Sequence, residues 1–163
     1  LLKIKKHTSK NFMMRSTIFG NLFQNINREK INRKFLRLVS NKKPSKRIID
    51  DLIFSLKVTK HLKSNSIVLS YNKQTVGIGS GQTSRIDALK IAINKKKSSF
   101  RQKNFVCASD GFFPFNDGVK LLNKIGCKAL VQPRGSINDK NVVAYSLKNS
   151  LTLFFSKNRL FKH

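Results

Sequence analysis

Apolar residues follow two alternating periods along most of the chain, and the alternation predicts strands and helices in turn. After Pro44–Ser45, Ile49, Leu52 and Leu56 recur at helical spacing, which predicts a helix with Ser45 as its N-cap. The short apolar run SIVLSY and the run QTVGIG that follows it are typical of strands. Asn72–Lys73 between them is a turn sequence, so the two runs predict a hairpin.

The same alternation continues to the end of the chain. A helix is predicted over Ile86 to Ile93, ending in a run of lysines, and Gly126 is expected to end the helix in GVKLLNKIG. A last helix is predicted near residues 140–149. The strands predicted between these helices are FVCAS, KALVQP and LTLFF. This β–α–β order predicts an α/β fold with a mixed sheet, mostly parallel beyond its first hairpin.

Two segments differ in character. Residues 1–42 are basic and Asn-rich, with short apolar pieces and no long periodic face, so we expect them to be irregular and unable to form a domain alone. Residues 43–163 are expected to form one domain with a hydrophobic core. The chain begins with Leu1 rather than Met, which suggests a piece of a longer protein.

Neither a secretory signal nor a membrane-spanning run is visible in the sequence. The basic N-terminus lacks a continuous apolar stretch and a small-residue cleavage site, and no apolar run approaches 18 residues. We expect Cys107 and Cys127 to be buried thiols without a disulfide. The expected location is therefore the reducing cytoplasm, without a membrane partner.

Charge is the most unusual property of the composition. The chain has 34 Lys and Arg residues against 7 Asp and Glu residues, which gives a formal net charge of +27. A polyanionic partner such as nucleic acid would explain this balance. Compositional drift would explain it as well, since Lys, Asn, Ile and Phe are all abundant and all have AT-rich codons. Both explanations stay open at this point.

Three loops carry the candidate chemistry, and each follows a predicted strand: GIGSGQTSR, SDGFFPFND and QPRGSIND. In such a sheet, ligands bind outside the carboxyl ends of the strands, so we expect these loops on one side of the domain. The glycines of GIGSGQTSR fit neither the dinucleotide nor the Walker pattern. This loop either holds an anion on its backbone N–H groups with Arg85, or is simply a tight turn.

SDGFFPFND, residues 109–117, also has two interpretations. In the structural one, Asp110 and Asp117 cap turns or helix starts while the phenylalanines fill the core. In the functional one, Phe112 or Phe115 forms an apolar wall against a flat ring, and the carboxylates accept hydrogen bonds from that ring.

Histidines and cysteines offer little evidence for other chemistry. Lys60–His61 are adjacent on a predicted helix end and point about 100° apart, so a solvated helix end is a better explanation than catalysis. No spacing of His, Cys and Asp suggests zinc.

Taken together, the motifs resemble a known family. The stretches LKVTKHLKSNSIVLSYNKQTVGIGSGQTSRIDALKIA, ASDGFFPFNDGVKLLNKIGCKALVQPRGSIND and NRLFKH, in this order, resemble the C-terminal part of AICAR transformylase. This is the formyltransferase half of a bifunctional purine biosynthesis enzyme that also carries IMP cyclohydrolase. RSTIFGNLFQN at residues 15–25 resembles a further stretch of the family, so residues 1–42 would be a remnant of the preceding part of the transformylase domain.

The resemblance implies a fold and a reaction. The fold would be a cytidine-deaminase-like, three-layer α/β subdomain without a deaminase zinc. The reaction would move the formyl group of 10-formyltetrahydrofolate to the 5-amino group of the nucleotide AICAR, giving FAICAR. The resemblance further implies a homodimer, with the C-terminal residues contacting the nucleotide across its interface.

It also implies site residues. Asn65 would lie near the reacting centre, and Asp110 would lie near a potassium site. Arg85 would be an anion contact. The residues expected to bind substrate are Ser84, Arg85 and Ile86, then Phe112, Pro114, Phe115 and Asp117 for the folate, and Arg159 and Phe161 for the nucleotide.

Several positions depart from the family pattern. Gly111 stands where the pattern has alanine, Asn116 where it has arginine, Arg134 where it has glycine, and Phe19 where it has glycine. The family's catalytic Lys-His pair has no match in this chain, and Lys60–His61 does not align with it. We therefore expect no turnover by this chain alone. The alternative hypothesis is a catalytically dead relic that acts as a basic nucleic-acid-associated binding protein.

Overall fold

A computed structural model describes residues 12–41, 43–100 and 102–163, and the chain divides into two units. The first unit comprises Leu1–Glu29 with His163, and the second comprises Lys30–Lys162. His7 and the other residues up to 11 lie outside the described residues. The second unit thus begins at Lys30, whereas the sequence suggested a boundary between residues 42 and 43.

The first unit contains a two-stranded antiparallel hairpin. Strand β1 (Phe12–Thr17) pairs with β2 (Gly20–Asn25), with Thr17 opposite Gly20. The turn residues Ile18 and Phe19 are 92% and 94% exposed. The expectation of irregular structure is wrong for these residues, because the pairing of two strands is not visible in either strand by itself.

A six-stranded mixed sheet forms the centre of the second unit. Its order is β3-β8-β7-β6-β4-β5. Only β6–β7 and β7–β8 are parallel, and the other three pairs are antiparallel. The α/β class and the mixed sheet are confirmed, but "mostly parallel" is wrong, because β4 runs against β6 and β3 runs against β8. The strands are β3 (Leu36–Leu38), β4 (Ile67–Tyr71), β5 (Gln74–Gly79), β6 (Val106–Ser109), β7 (Ala129–Pro133) and β8 (Thr152–Ser156).

Within the described residues, four α-helices and one 3₁₀ turn (Arg33–Phe35) accompany this sheet. The helices are α1 (Lys46–Thr59), α2 (Arg85–Ser99), α3 (Asp117–Lys124) and α4 (Asp139–Lys148). Ser45 caps α1 by accepting a hydrogen bond from the Ile48 N–H, as expected, and Gly126 follows α3 with a φ of +89°. None of the helices in the described ranges has the length and apolar character needed to cross a membrane.

The helices cover both faces of the sheet, which makes the second unit three-layered. On one face, α1 buries Leu52 and Leu56 against alternate sheet residues such as Val131. On the other face, residues of α2, α3 and α4 pack around the intervening sheet residues, including Leu69 and Leu130. This alternation arises because successive side chains of a strand point to opposite faces.

One buried carboxylate holds the β4–β5 turn. Asn72 and Lys73 have positive φ angles of 49° and 56° and form the predicted two-residue turn. Their backbone N–H groups donate to the two oxygens of Asp51, at 3.1 Å and 2.7 Å. Asp51 is fully buried on α1, so it joins the helix to the hairpin.

Both cysteines are buried free thiols, as the sequence predicted. Burial raises the pKa of Cys127 to about 12, from an ordinary value of 9.0. Burial also raises the pKa of Cys107 well above its usual range, and the neighbouring Cys127 adds to this shift. Because the thiolate is the reactive form of cysteine, both thiols are expected to be unreactive in the folded chain.

These shifts predict an alkaline loss of stability. Between pH 9 and 12 the unfolded Cys127 gives up its proton while the folded one keeps it, so stability falls as the pH rises through this window. Each such thiol contributes a slope of about 1.4 kcal/mol per pH unit. Urea unfolding at several pH values measures this slope, and a Cys127→Ala variant should show a shallower one.

Alkylation provides an independent readout. At pH 8, iodoacetamide should label both cysteines in urea and neither in the folded chain. Equal labelling rates in the two states would contradict the burial of the thiols.

Candidate functional site

The loops with candidate chemistry meet at one edge of the sheet. Because β5 and β6 both run against β4, they end at the same edge, where β7 and β8 also end. The predicted convergence of the three loops is therefore confirmed. Residues 64–66, which precede β4, reach the same edge, since Ile67 pairs with Ser109. We call this the carboxyl edge of the sheet.

An ion pair between Arg85 and Asp110 lies at the centre of this edge. Nη2 of Arg85 donates to Oδ1 of Asp110 at 2.9 Å, and the two side chains are only 10% and 0% exposed. Arg85 begins α2 and Asp110 follows β6, so the pair connects two of the candidate loops. Water is largely excluded from it, and such a pair depends on complete hydrogen bonding to offset its desolvation.

The guanidinium of Arg85 is nearly saturated by neighbouring acceptors. Nε donates to Oγ of Ser109 at 3.0 Å, and Nη1 donates to the Phe112 carbonyl at 2.8 Å. Nη2 donates to Oδ1 of Asn65 at 2.8 Å as well as to Asp110. Of the five N–H groups of an arginine, this leaves one for a ligand. Arg85 therefore serves mainly to hold the loops at this edge together by hydrogen bonds.

The side chain of Asn65 is fixed by three hydrogen bonds. Its amide nitrogen donates to the carbonyls of Gln82 and Thr83, at 3.0 Å and 3.1 Å, while its oxygen accepts from Arg85. Asn65 thus joins the start of β4 to the glycine-rich loop. Its orientation is set by these partners.

Asp110 also fastens the residues before β4 and the C-terminal residues. Its Oδ2 accepts from the Ser66 N–H at 3.1 Å, and its backbone carbonyl accepts from the Leu160 N–H at 3.0 Å. Each of the two carboxylate oxygens of Asp110 thus already accepts a hydrogen bond. A potassium ion here would stand beside the guanidinium of Arg85, and like charges repel strongly where water is excluded. The surroundings of this side chain do not fit a potassium ion.

Metal binding has no other support in the described parts of the chain. No group of three or more His, Cys, Asp or Glu side chains occurs there in an arrangement that could hold a metal ion.

Gly111 is required by the packing around this pair. A Cβ atom at this position would overlap Nη2 of Arg85 and would lie 2.8 Å from Cε1 of Phe161. The departure from alanine noted in the sequence therefore lets Arg85 and Phe161 approach the backbone closely. Nothing in the sequence pattern indicated this constraint.

Aromatic and cationic side chains lie next to the ion pair. The guanidinium carbon of Arg159 lies 4.9 Å from the centroid of the Phe112 ring and 5.7 Å from that of Phe161. Such distances are typical of cation–π contacts. The structure thus brings the predicted residues Phe112, Arg159 and Phe161 together beside Gly111.

Other predicted residues have different surroundings. The ring of Phe115 is 65% exposed, and Oδ1 of Asp117, at the start of α3, accepts from the Gly118 N–H. The hydroxyl of Ser84 caps α2 and bonds to Asp87, and Ile86 packs against the core. Ser84 and Ile86 therefore serve mainly to hold α2, whereas Phe115 and Asp117 remain accessible.

The sequence did not single out several residues that shape the candidate folate loop, residues 109–117. Phe113 fills the core and is 1% exposed, and its N–H donates to Oε1 of Gln132 at 3.3 Å. The side-chain nitrogen of Asn138 donates to the Pro114 carbonyl at 2.6 Å. Gln132 lies near the end of β7 and Asn138 lies in the loop that follows it, so their place in QPRGSIND was the signal that could have found them.

Lys60–His61 shows the features of a helix end. Lys60 is the C-cap of α1 and His61 is exposed.

Comparison with known proteins identifies the family. A family model described as AICARFT/IMPCHase bienzyme matches residues 1–95. The chain belongs to this family.

Curated relatives extend the likeness over most of the chain. The bifunctional purine biosynthesis protein PurH of Buchnera aphidicola (subsp. Baizongia pistaciae) is 46% identical over 149 residues, which cover 90% of this chain and 28% of the relative. PurH of Acetivibrio thermocellus is 44% identical over 161 residues, or 99% of this chain and 30% of the relative. The chain therefore spans less than a third of the length of these relatives.

The buried ion pair generates a stability prediction. Asp110→Asn would leave the Arg85 charge buried without a counter-charge, so we expect a loss of about 3–5 kcal/mol in the free energy of unfolding. The matched control is Asp117→Asn at an exposed helix start, for which we expect about 1 kcal/mol or less. Urea denaturation measures both variants. Equal losses in the two variants would show that the pair has no special role in stability.

Proposed function

We propose that this chain forms part of an AICAR transformylase site and belongs to the cytidine-deaminase-like C-terminal subdomain of that enzyme. The reaction transfers the formyl group of 10-formyltetrahydrofolate to AICAR, giving FAICAR on the way to IMP. The observation that carries this proposal is the meeting of Asn65, the candidate folate loop and the Arg159–Phe161 segment around Arg85–Asp110. Membership of the bienzyme family supports this proposal without distinguishing the two halves. We assign the chain to the formyltransferase half because its motifs, in their order, resemble that half.

The exposed residues of the candidate folate loop suit a pterin. A pterin ring is flat and carries N–H donors, so it requires an apolar wall and a carboxylate acceptor. Arg159 already lies over the ring of Phe112, whereas Phe115 is 65% exposed and has surface free to stack. Asp117 lies two residues further on and is exposed. We therefore assign ring stacking chiefly to Phe115 and hydrogen bonding to Asp117.

The contribution of this chain to the reaction is positioning. Formyl transfer joins the amine nitrogen of the nucleotide to the formyl carbon, and the amine must lose a proton. Holding the two substrates in line supplies much of the rate of such a step. Asn65, fixed by three hydrogen bonds, is suited to orient the reacting amine. The family's catalytic Lys-His pair has no counterpart here, so we propose that this proton is accepted by a group outside this chain.

Assembly and location follow from the same proposal. We propose that the full-length enzyme is a cytoplasmic homodimer, with Arg159 and Phe161 contacting the nucleotide at or near the subunit interface. Their position beside Phe112 brings that contact next to the proposed folate wall.

Ligand binding tests this assignment. By isothermal titration calorimetry, Phe115→Ala and Asp117→Asn should each weaken the binding of 10-formyltetrahydrofolate about tenfold, since each removes one stacking or charge-assisted contact. The controls are Ile137→Ala, a fully exposed residue of a neighbouring loop, and Asp50→Asn at the opposite edge. Both should leave the affinity unchanged.

Two outcomes would overturn parts of the proposal. Binding of IMP, the product of the cyclohydrolase, without any binding of the folate would assign the chain to the cyclohydrolase half instead. Formation of FAICAR by this chain alone would contradict a proton-accepting group outside this chain.

A second candidate function, nucleic-acid binding, is favoured by the edge opposite the candidate site. The amino ends of β6, β7 and β8, the β4–β5 turn and the carboxyl ends of α2, α3 and α4 meet there. The Lys128 N–H donates to Phe105 O and the Thr152 N–H to Lys128 O, which joins the three strand starts. Six exposed lysines define this basic edge: Lys73, Lys97, Lys103, Lys124, Lys128 and Lys148.

The basic edge is similar in length to about six successive phosphates of one duplex strand. Strands in a sheet lie about 4.8 Å apart, so the edge from β5 to β8 spans about 20 Å. A duplex presents about six phosphates per strand over that length. In the described chain, only Lys73 among the six has a carboxylate partner, Asp50 at 3.5 Å. Three of the six lie at or near helix ends, where lysines also offset the helix dipole.

Salt dependence tests this second function. With a short duplex, the logarithm of the affinity should fall with the logarithm of the salt concentration at a slope of up to about −5. The double variant Lys103→Gln/Lys128→Gln should make this slope shallower by about 2, whereas Lys57→Gln/Lys120→Gln should leave it nearly unchanged. Equal effects of the two variants would indicate diffuse attraction by net charge, and salt-independent or absent binding would eliminate the function.

A further inference from the structure

Two helices at the carboxyl edge begin with an asparagine whose side chain does not cap its own helix. Asn116 is the N-cap of α3 and Asn138 is the N-cap of α4, and neither side chain makes a capping hydrogen bond. Asparagine is among the residues that most strongly favour this capping role. Both side chains therefore forgo a common local hydrogen bond, and the partners that they have instead indicate their role.

Each of these two side chains reaches the segment that carries the other. Nδ2 of Asn138 donates to the Pro114 carbonyl at 2.6 Å. Nδ2 of Asn116 donates to the Asn141 carbonyl, in the first turn of α4, at 3.4 Å. Nδ2 of Asn141 in turn donates to Oδ1 of Asn138 at 3.2 Å, which holds the amide of Asn138 in place. We call these three hydrogen bonds, formed by Asn116, Asn138 and Asn141, the asparagine clasp.

The asparagine clasp holds the outer part of the candidate folate loop. The inner part is fixed by Phe113, whose ring is buried and whose N–H donates to Gln132. Pro114 and Phe115 are exposed, so their side chains bury no surface that could fix this part of the loop in the core. The hydrogen bonds to the start of α4 therefore supply the fixation that the core does not.

Phe115 lies within the clasp. The residue before it, Pro114, and the residue after it, Asn116, are each bonded to the start of α4, whereas its own ring is 65% exposed. A ligand that orders a mobile loop loses affinity, because the conformational entropy of the loop has to be given up on binding. A loop that is already fixed on both sides of the contact residue avoids most of this loss.

We propose that Asn138 and Asn116 are positioning residues that hold Phe115 ready to stack on a flat ring. This inference rests on the proposed function, in which Phe115 stacks on the pterin. Both asparagines act through the backbone on either side of Phe115. The sequence pattern that this chain resembles has arginine at position 116, whereas this chain has Asn116, so the bond to Asn141 is a feature of this chain.

NMR relaxation of the backbone amides, with no ligand present, tests the clasp itself. In the unmodified chain, the order parameter of the Phe115 amide should be about 0.85, as in rigid backbone. Asn138→Ser removes the donor to the Pro114 carbonyl and should lower this value towards about 0.6, which is typical of flexible backbone. Asn116→Ser, which removes the other bond, should act in the same direction. An unchanged order parameter in both variants would overturn the inference, whether or not the chain binds folate.

Asn149→Ser is the matched control. Nδ2 of Asn149, at the other end of α4, also donates to a backbone carbonyl, that of Tyr145, at 2.8 Å. This variant therefore loses the same kind of exposed hydrogen bond from the same helix, and the order parameter of Phe115 should not change. Asn138→Ser and Asn149→Ser should each lower the thermal midpoint by no more than about 4 °C. An equal fall of the Phe115 order parameter in both would indicate a general loosening and would also overturn the inference.

A double-mutant cycle tests whether Asn138 acts through Phe115. By calorimetric titration with 10-formyltetrahydrofolate, Asn138→Ser should weaken binding about fivefold, because fixation of the stacking residue is lost. In the Phe115→Ala background the same change should weaken binding by less than about twofold, since the residue through which it acts is already gone. Equal losses in the two backgrounds would show that Asn138 does not act through Phe115.

The two measurements separate this inference from the proposed function. If the unmodified chain binds no folate, the proposed function fails, and the order parameter still decides whether the asparagines fix Phe115. If Phe115→Ala weakens folate binding and Asn138→Ser loosens Phe115 without any loss of affinity, the proposed function stands and the positioning role is overturned.

Discussion

The buried pair of Arg85 and Asp110 is the interaction on which the carboxyl edge depends. Its 2.9 Å contact connects the start of α2 to the end of β6, and the same two side chains hold Asn65, Ser66 and the Phe112 carbonyl. A buried charge is tolerated only when its partners are complete. The residues before β4 and the loops that follow β5 and β6 are therefore held together by the hydrogen bonds of two side chains.

The distribution of the few carboxylates follows the same logic. Of the seven acidic residues, Asp51 and Asp110 are fully buried, and each accepts backbone N–H groups that would otherwise be unsatisfied. A lysine at either position could donate but not accept. Asp51 fixes the β4–β5 turn at the basic edge, and Asp110 fixes the opposite edge. Carboxylates are therefore retained in this strongly basic chain at the positions where backbone N–H groups require a hydrogen-bond acceptor.

The two edges of the sheet differ in chemistry. The carboxyl edge combines aromatic rings with fixed polar groups, whereas the basic edge carries exposed lysines on loops and helix ends. The proposed ligand site and the proposed surface for polyanions therefore lie at opposite edges of one small sheet.

The sequence by itself determined the helices, five of the six strands of the main sheet, the buried cysteines and the side of the sheet where the candidate loops meet, but it did not indicate β3. These features follow from local periodicity and capping, which are properties of neighbouring residues. The pairing of β3 with β8, the antiparallel neighbours of β6 and the hairpin of residues 12–25 were decided by the tertiary structure, because strand pairing joins residues far apart in the chain. The same holds for the site: the motifs indicated Asp110 and Arg85 separately, but only the folded chain shows that they bond to each other. The requirement for glycine at position 111 likewise comes from Arg85 and Phe161, which are close to it in space but distant in sequence.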